Sequence, residues 1–291
     1  MLKNCKKYGL LFFALLLLSA SIFIFYLDWQ NSHRKFTFAM LDVGQGDALF
    51  IESPTGTQML FDGGPPRKIS GQLARVMPFY DKTIDAIFIT NPDADHISGF
   101  FDVLKNYKVD KVFESGTFND SKSYQNLKNE IKNQNIPDIL AKRGMKLDIG
   151  DGAFIEILFP DRDVSNWETN TGSIVARLVY GKTSVMLTGD ATTETEKIIL
   201  SENSPEQIHS IILKVGHHGS HSSTSPEFLQ AVSPAYALIS VGKDNKYGHP
   251  HQEVLNILSQ FGSKIFRTDE IGTIIIKSNG EKENFSFSFL K

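Results

Sequence analysis

The sequence is poor in cysteine and has no excess of positive charge. Of its 291 residues only Cys5 is a cysteine, which excludes a disulfide framework and a zinc site built from thiolates. Any bound metal ion must therefore be held by His, Asp, Glu or Asn. The formal net charge of −3 gives no general sign of a nucleic-acid-binding protein, although a local basic groove is compatible with it. With 41% hydrophobic and 22% charged residues, the composition is that of a globular protein.

A long apolar run near the N-terminus predicts a membrane element. The run covers residues 8–29, follows Lys3, Lys6 and Lys7, and has about the 20 residues that a helix needs to cross the hydrocarbon layer. The lysines favour a cytoplasmic N-terminus, which puts the rest of the chain outside. The alternative is a signal peptide cleaved near residues 19–21 (Ser-Ala-Ser). Because the apolar run continues past that point, we expect residues 1–29 to be a retained anchor.

The rest of the chain predicts one domain. A polar linker covers residues 30–35, and strand-like and helix-like segments alternate through residues 36–291. This alternation over about 250 residues is typical of a single layered α/β domain. Five predicted strands each end in acids or histidines, and the loops that follow strands are free to carry ligands. These residues are Asp62, then Asp93 with Asp95 and His96, then Asp190, then His217 with His218, and finally His249.

The densest polar cluster lies in residues 91–96, directly after a predicted buried strand. Asp93 and Asp95 occupy alternate positions, so an extended segment would point both carboxylates to one side. Taken alone, the cluster is more typical of an Asx-rich turn that caps the helix predicted to begin near Ile97. The other acids and histidines at strand ends favour a metal site.

Six segments in order resemble the extracytoplasmic metallo-β-lactamase-like domain of the competence DNA-uptake proteins (ComEC type). The resemblance covers the chain from about Phe36 to the C-terminus. It implies an α/β fold, a four-layer αββα sandwich with a metal site at one edge of two sheets, and hydrolysis of phosphodiesters. The segments are residues 41–47 (LDVGQGD), 61–64 (FDGG), 93–96 (DADH), 187–190 (LTGD), 215–220 (VGHHGS) and 247–250 (YGHP).

The resemblance also implies a set of metal ligands, with two departures. Asn91 stands where the family carries a histidine, and residues 170–173 lack the histidine of the third motif. Both losses fall on the first metal site, so one ion is better supported than two. The oxygen-rich ligands shift the preference from Zn²⁺ towards Mn²⁺. The expected ligands are Asp95, His96, Asp190 and a late histidine, for which His217 and His249 remain alternatives.

Further residues receive roles in catalysis, in orienting ligands or in substrate binding. Asp62, Asp93 and Asp95 are the candidate catalytic carboxylates, since Asp62 or Asp93 could accept a proton or hold a water. Lys243 and Lys246 could bring positive charge to an anionic substrate, or could form a solvated loop tip. The remaining candidates for orienting ligands or contacting substrate are Asp47, Asn91, His218 and Ser220.

Two classes of function compete. The first is an anchored extracytoplasmic phosphodiesterase or nuclease with a Zn²⁺ or Mn²⁺ ion and a phosphodiester substrate, for example DNA. The second is a metal-poor, non-catalytic binding module with the same fold, acting in DNA uptake or envelope assembly. The set of Asp95, His96, Asp190 and His217 favours an enzyme, whereas Asn91 favours the binding module. A fold alone does not establish an activity.

Overall fold

The computed structural model describes residues 2–32, 34–281 and 285–291. The chain begins with α1 (Leu2–Ser32), which therefore includes residues 30–32 of the predicted linker, while His33 lies outside the described residues. Within α1, Tyr8–Tyr26 is long and apolar enough to cross a membrane. Its mean hydropathy is 2.4, and none of these residues is buried. The apolar run of the sequence is thus one uninterrupted helix.

The first half of the domain supplies most of an eight-stranded sheet. Its strand order is β17-β16-β1-β2-β3-β5-β7-β8, and a separate two-stranded sheet pairs β4 with β6. The elements are β1 (Phe36–Met40), β2 (Leu49–Glu52), β3 (Gln58–Phe61), α2 (Ile69–Val76), β4 (Thr83–Ile84), β5 (Ala86–Ile89), α3 (Ala94–Ile97), α4 (Phe100–Asn106), β6 (Lys108–Val109), β7 (Val112–Glu114), α5 (Lys122–Asn133) and β8 (Asp138–Leu140).

The second half forms a seven-stranded sheet, and the last two strands return to the first sheet. The order in the second sheet is β15-β14-β13-β12-β11-β10-β9. The elements are β9 (Lys146–Gly150), β10 (Ala153–Phe159), β11 (Val175–Tyr180), β12 (Thr183–Leu187), α6 (Thr193–Glu202), α7 (Pro205–Ile208), β13 (Ile212–Lys214), a 3₁₀ turn (Gly216–Gly219), α8 (Pro226–Val232), β14 (Tyr236–Ile239), α9 (Gln252–Gln260), β15 (Lys264–Arg267), α10 (Thr268–Ile271), β16 (Thr273–Ser278) and β17 (Ser286–Leu290).

Three apolar clusters show that the domain has four layers. The central cluster joins the inner faces of both sheets, with Phe38 and Phe88 from the first and Ile155 from the second. A second cluster packs α2, α4 and α5 on the outer face of the first sheet. A third packs α6, α8 and α9 on the outer face of the second. The order helix, sheet, sheet, helix confirms the predicted αββα sandwich, which buries apolar side chains on both faces of each sheet.

The helix predicted over residues 97–107 is interrupted. It is divided into α3 and α4 at Ser98 and Gly99, where the chain crosses the Gly63–Gly64 turn. The Gly99 amide donates to the Gly64 carbonyl over 2.8 Å, and a Cβ at Gly99 would lie 1.9 Å from the Gly63 oxygen. This close approach of two backbones fixes His96 against the turn that carries Asp62.

Candidate metal centre

Acids and histidines from both sheets meet at the edge formed by the carboxyl ends of β3, β5, β12, β13 and β14. Asp190 lies at the centre of this group. Its Oδ2 is 3.0 Å from His96 Nε2, 3.6 Å from His218 Nε2 and 3.8 Å from His217 Nε2. The ligand atoms of Asp95, His96 and His218 lie within 4.8 Å of one another. The strand ends that the sequence singled out therefore do converge.

Asp62 lies behind His96, away from the cleft. It is buried, and its Oδ2 accepts a hydrogen bond from His96 Nδ1 over 2.8 Å. The Thr90 amide and hydroxyl donate to Asp62 over 2.9 and 2.6 Å, which leaves this carboxylate held in one orientation. A carboxylate bonded to Nδ1 of a histidine fixes the ring so that Nε2 can face a metal ion. The structure thus gives Asp62 the orienting position that the family resemblance implies for it, and not the catalytic role that the sequence also allowed.

Asn91 and Asp93 form the Asx turn that the sequence had offered as an alternative. Asn91 is buried, its Oδ1 accepts from the Asp93 amide over 2.9 Å, and its Nδ2 donates to Ser173 Oγ over 3.4 Å. Asp93 points into the cleft and accepts from Asn119 Nδ2 and Thr169 Oγ1 over 3.1 and 3.0 Å. Burial raises the pKa of Asp93, despite the hydrogen bond from Thr169. A carboxylate with a raised pKa is a stronger base than an ordinary one, as a group that accepts a proton in catalysis should be.

His218 takes the position that the sequence had left between His217 and His249. Its Nδ1 donates to the Ser240 carbonyl over 2.9 Å, which fixes the ring. Its Nε2 is buried without a hydrogen-bond partner among the described residues and lies 3.5 Å from Asp95 Oδ2. A buried nitrogen aimed at two carboxylates without a partner is what a metal ligand requires. The geometry therefore favours His218 as the late ligand, whereas the sequence had given it an orienting or substrate role.

His217 and His249 form the rim of the same cleft. Their ring centroids are 5.5 Å apart, and Ser222 Oγ lies 3.0 Å from His217 Nδ1. Ser220 is buried and accepts from the Ser222 hydroxyl over 3.0 Å, so it supports His217 indirectly. The cleft has a volume of about 230 Å³, and its described lining consists of Gln45, Asp93, Asp95, Asn170, Asp190, His217, His218, Tyr247 and His249.

The two lysines proposed for substrate binding lie outside that lining. Lys243 and Lys246 are exposed on the loop before His249. The Lys246 ammonium lies 5.0 Å from the centroid of the Tyr247 ring, and Tyr247 stacks on His249 at 5.7 Å. Lys246 is thereby linked to the mouth of the cleft through two rings.

Lys214 is a charged member of the centre that the sequence analysis missed. It is the last residue of β13, and its side chain is fully buried. Its ammonium donates to the Gly189 carbonyl over 2.6 Å and forms an ion pair with Asp47, which is also buried. The sequence does place this lysine at the end of the apolar segment 211–213. A charge at that position indicates a buried ion pair, because a charge buried in a sheet needs a partner.

The charges in the centre are strongly coupled. Burial alone lowers the pKa of His96, but Asp190 and Asp62 outweigh burial and raise it well above its ordinary value. Conversely, burial raises the pKa of Asp190, but His96, His218 and Lys214 hold it well below its usual range. Asp190 is therefore ionised, and nitrogen atoms of His96, His218 and Lys214 surround it. The ionised form is the form of a carboxylate that binds a cation.

These residues fit one divalent ion. Asp95, His96, Asp190 and His218 offer two carboxylates and two imidazoles, a donor set compatible with Zn²⁺ or Mn²⁺. The unpartnered His218 Nε2 supports this fit. The side-chain amide of Asn91 is hydrogen-bonded to the Asp93 amide and to Ser173. On that side of the centre the described residues therefore show no comparable second set of metal ligands.

The fold and this edge are those of the metallo-β-lactamase class of proteins. The model of the Metallo-beta-lactamase superfamily matches residues 41–243, and the chain belongs to that superfamily. Within the superfamily it is a domain of the competence ComEC type, as its relatives show. It is 32% identical to ComE operon protein 3 of Bacillus subtilis (strain 168), with 85% of this chain and 34% of the relative covered. It is 28% identical to competence protein ComA of Neisseria gonorrhoeae, with 91% and 35% covered.

This chain spans about a third of the length of these curated relatives. Among solved structures it is similar to Igni18, a metallo hydrolase from the hyperthermophilic archaeon Ignicoccus hospitalis. The TM-score is 0.54 at 14% identity, and 82% of this chain and 98% of that chain are covered. This likeness shows the shared fold.

Proposed function

We propose that this chain is a metal-dependent phosphodiesterase that acts on nucleic acid, anchored by α1 with its domain outside a bacterial cell membrane. The observation that carries the proposal is the convergence of Asp95, His96, Asp190 and His218 at an open cleft. The names of the competence relatives support a nucleic-acid substrate.

The chain's own residues divide the work of such a reaction. A divalent ion bound here would lower the pKa of a water to around 7 and polarise a phosphoryl oxygen. Asp93 faces the same cleft, and its raised pKa suits it to take up a proton at a carboxylate oxygen. Asp62 holds His96 in one tautomer, while Tyr247 and His249 offer ring faces to a substrate at the rim.

An activity screen of the full chain tests this proposal. The substrates are single-stranded DNA, duplex DNA, RNA, bis(nitrophenyl) phosphate and cell-wall phosphodiesters, each with Mn²⁺ and with Zn²⁺. We expect cleavage by the parent and none by Asp95→Ala or Asp190→Ala, with circular dichroism of each variant as the control for folding. A fully metal-loaded parent that leaves every substrate intact would reject the hydrolase assignment.

One observation favours the second function, a non-catalytic binding module. Asn91 replaces an expected histidine, and its side-chain amide is hydrogen-bonded within the Asx turn and to Ser173. Elemental analysis of the purified chain separates the two functions. We expect close to one tightly bound ion, whereas no ion after loading with Mn²⁺ or Zn²⁺ would favour the binding module.

The proposed topology is tested separately, with protease added to intact cells or spheroplasts. We expect digestion of the domain, since α1 contains one candidate span preceded by lysines. Protection of the domain until the membrane is lysed would contradict this orientation.

A further inference from the structure

The ammonium of Lys214 lies in a cage of oxygen atoms beneath the proposed metal centre. It donates to the Gly189 carbonyl over 2.6 Å, pairs with the Asp47 carboxylate, and lies 3.6 Å from Asp190 Oδ1. All of these groups come from buried segments, and the lysine side chain has no solvent exposure. Oxygen atoms from carboxylates and a carbonyl are the ligands that hard metal ions take.

Lys214 offsets a repulsion that the fold would otherwise contain. Asp47, Asp62 and Asp190 are all buried at this edge. The Lys214 ammonium is paired with Asp47 and donates to the Gly189 carbonyl, so it places a positive charge among these carboxylates. A buried carboxylate without a nearby cation is costly, so the ammonium has an electrostatic role whether or not an ion is bound.

The two oxygens of Asp190 face different cations. Oδ2 faces His96 and His218, where the divalent ion would bind. Oδ1 has no hydrogen-bond donor among the described residues and faces Lys214. An ammonium 3.6 Å from Oδ1 repels a second metal ion at that oxygen. Asp190 is therefore arranged to serve one ion through one oxygen.

We propose that Lys214 is a built-in cation of this centre: its ammonium fills an oxygen cage that would otherwise take a second cation, and it fixes Asp190 as ligand to a single ion. Lys214 is thus a positioning residue. The inference deepens the proposed function and rests on it for the first ion only.

A matched pair of variants tests the proposal in the full chain. Lys214→Ala empties the cage and leaves its oxygens, whereas Lys214→Met fills it with an uncharged chain of similar length. With Mn²⁺, we expect Lys214→Ala to rise from about one to about two bound ions, and Lys214→Met to remain at about one with weaker binding. Lys105→Ala, an exposed lysine on α4, is the control and should match the parent. Equal ion numbers in the two Lys214 variants would overturn the proposal.

Thermal melting of the metal-free proteins gives a second measurement that does not depend on the first ion. We expect methylammonium to raise the melting temperature of Lys214→Ala and to leave Lys214→Met unchanged. If Lys214→Ala does not fold, recovery on refolding with methylammonium supports the proposal, and lack of recovery contradicts it. A parent that binds no Mn²⁺ would reject the proposed function, and the methylammonium result would still decide the role of Lys214.

Discussion

The two sheets differ in how far the protein itself satisfies their polar groups at this edge, although each supplies one carboxylate and one imidazole of the proposed ligand set. The segments after β3 and β5, on the first sheet, form the oxygen side: Asp62 accepts from Thr90, and Asp93 accepts from Asn119 and Thr169. The segments after β13 and β14, on the second sheet, present ring nitrogens. His218 Nε2 and His249 Nδ1 are buried there without hydrogen-bond partners among the described residues.

This difference indicates which side of the centre needs a bound ion to satisfy its polar atoms. The oxygen side is satisfied by the protein's own donors, so it should keep its shape in the metal-free state. The nitrogen side includes consecutive left-handed residues, His217 and His218 at φ 46 and 55, which is uncommon for residues with a Cβ. An ion that binds His218 would satisfy this side. Metal binding should therefore order the segment after β13 more than the segment after β5.

The largest expected effect comes from the nitrogen side. His218→Ala should weaken Mn²⁺ or Zn²⁺ binding by more than about 100-fold, since even a residue that only orients a ligand costs about 10- to 100-fold. His217→Ala and His249→Ala should bind the ion more nearly like the parent, because those rings lie at the rim. Calorimetric titration measures all three. Loss of the ion in His217→Ala or His249→Ala with retention in His218→Ala would reverse the ligand assignment.

A smaller effect is expected when the oxygen side is changed behind the ligand. Asp62→Asn presents an amide to His96 Nδ1, which favours the tautomer with its proton on Nε2, the atom needed by the ion. We expect metal affinity to fall by about 10- to 100-fold. Thr90→Val, which removes only the hydroxyl donor to Asp62, is the milder control. Unchanged affinity in Asp62→Asn would mean that Asp62 does not orient this ring.

The third prediction concerns the support of the nitrogen side. Glu196 on α6 is buried and accepts from the amides of Thr224 and Ser225 over 2.5 and 2.9 Å, just beyond the histidine segment. In Glu196→Gln one amide would face an N–H group instead of an oxygen. We expect a loss of about 1–3 kcal/mol in the free energy of unfolding, measured by urea denaturation. A variant as stable as the parent would show that the segment is held mainly by other contacts.

The smallest effect is a pH dependence. Burial, together with the positive charge of the neighbouring His217 and His218, lowers the pKa of His249 from the ordinary 6.5 to about 4. A histidine with a lowered folded pKa contributes stability above pH 6.5 that is lost as the pH falls towards 4.

Over that window the metal-free parent should lose more stability than His249→Asn. Unfolding curves at several pH values measure the difference. Equal losses of stability in the two proteins would mean that folding does not lower the pKa of His249.

Much of the architecture followed from patterns that depend on local sequence. The apolar segments before Asp62 and Asp190 are strands as predicted, because the periodicity that marks a strand is local. The short edge strands β8, β9, β15 and β17 were missed. They are partly exposed and lack the continuous apolar runs that mark buried strands.

The sequence predicted which residues lie in the site better than it predicted the role of each residue. That Asp95, His96 and Asp190 lie together followed from strand ends and from the family resemblance. The choice of His218 depends on two left-handed residues, and the orienting position of Asp62 depends on a contact 34 residues along the chain. Lys214 was hidden because its partners, Asp47 and Gly189, come from distant strands. Such long-range contacts leave no local periodicity.

The first strand has a further consequence for the proposed anchoring. The chain leaves α1 at Ser32 and enters β1 at Phe36, but the centre lies beyond Met40, at the opposite end of that strand. Five residues at about 3.3 Å each separate the connection to α1 from the proposed metal centre by about 17 Å. With α1 as the proposed anchor, the cleft lies at the end of the domain away from the point of attachment, where a long polymer outside the membrane could reach it. Tethering would then concentrate the enzyme in a thin layer next to the membrane while its working edge samples the space beyond it.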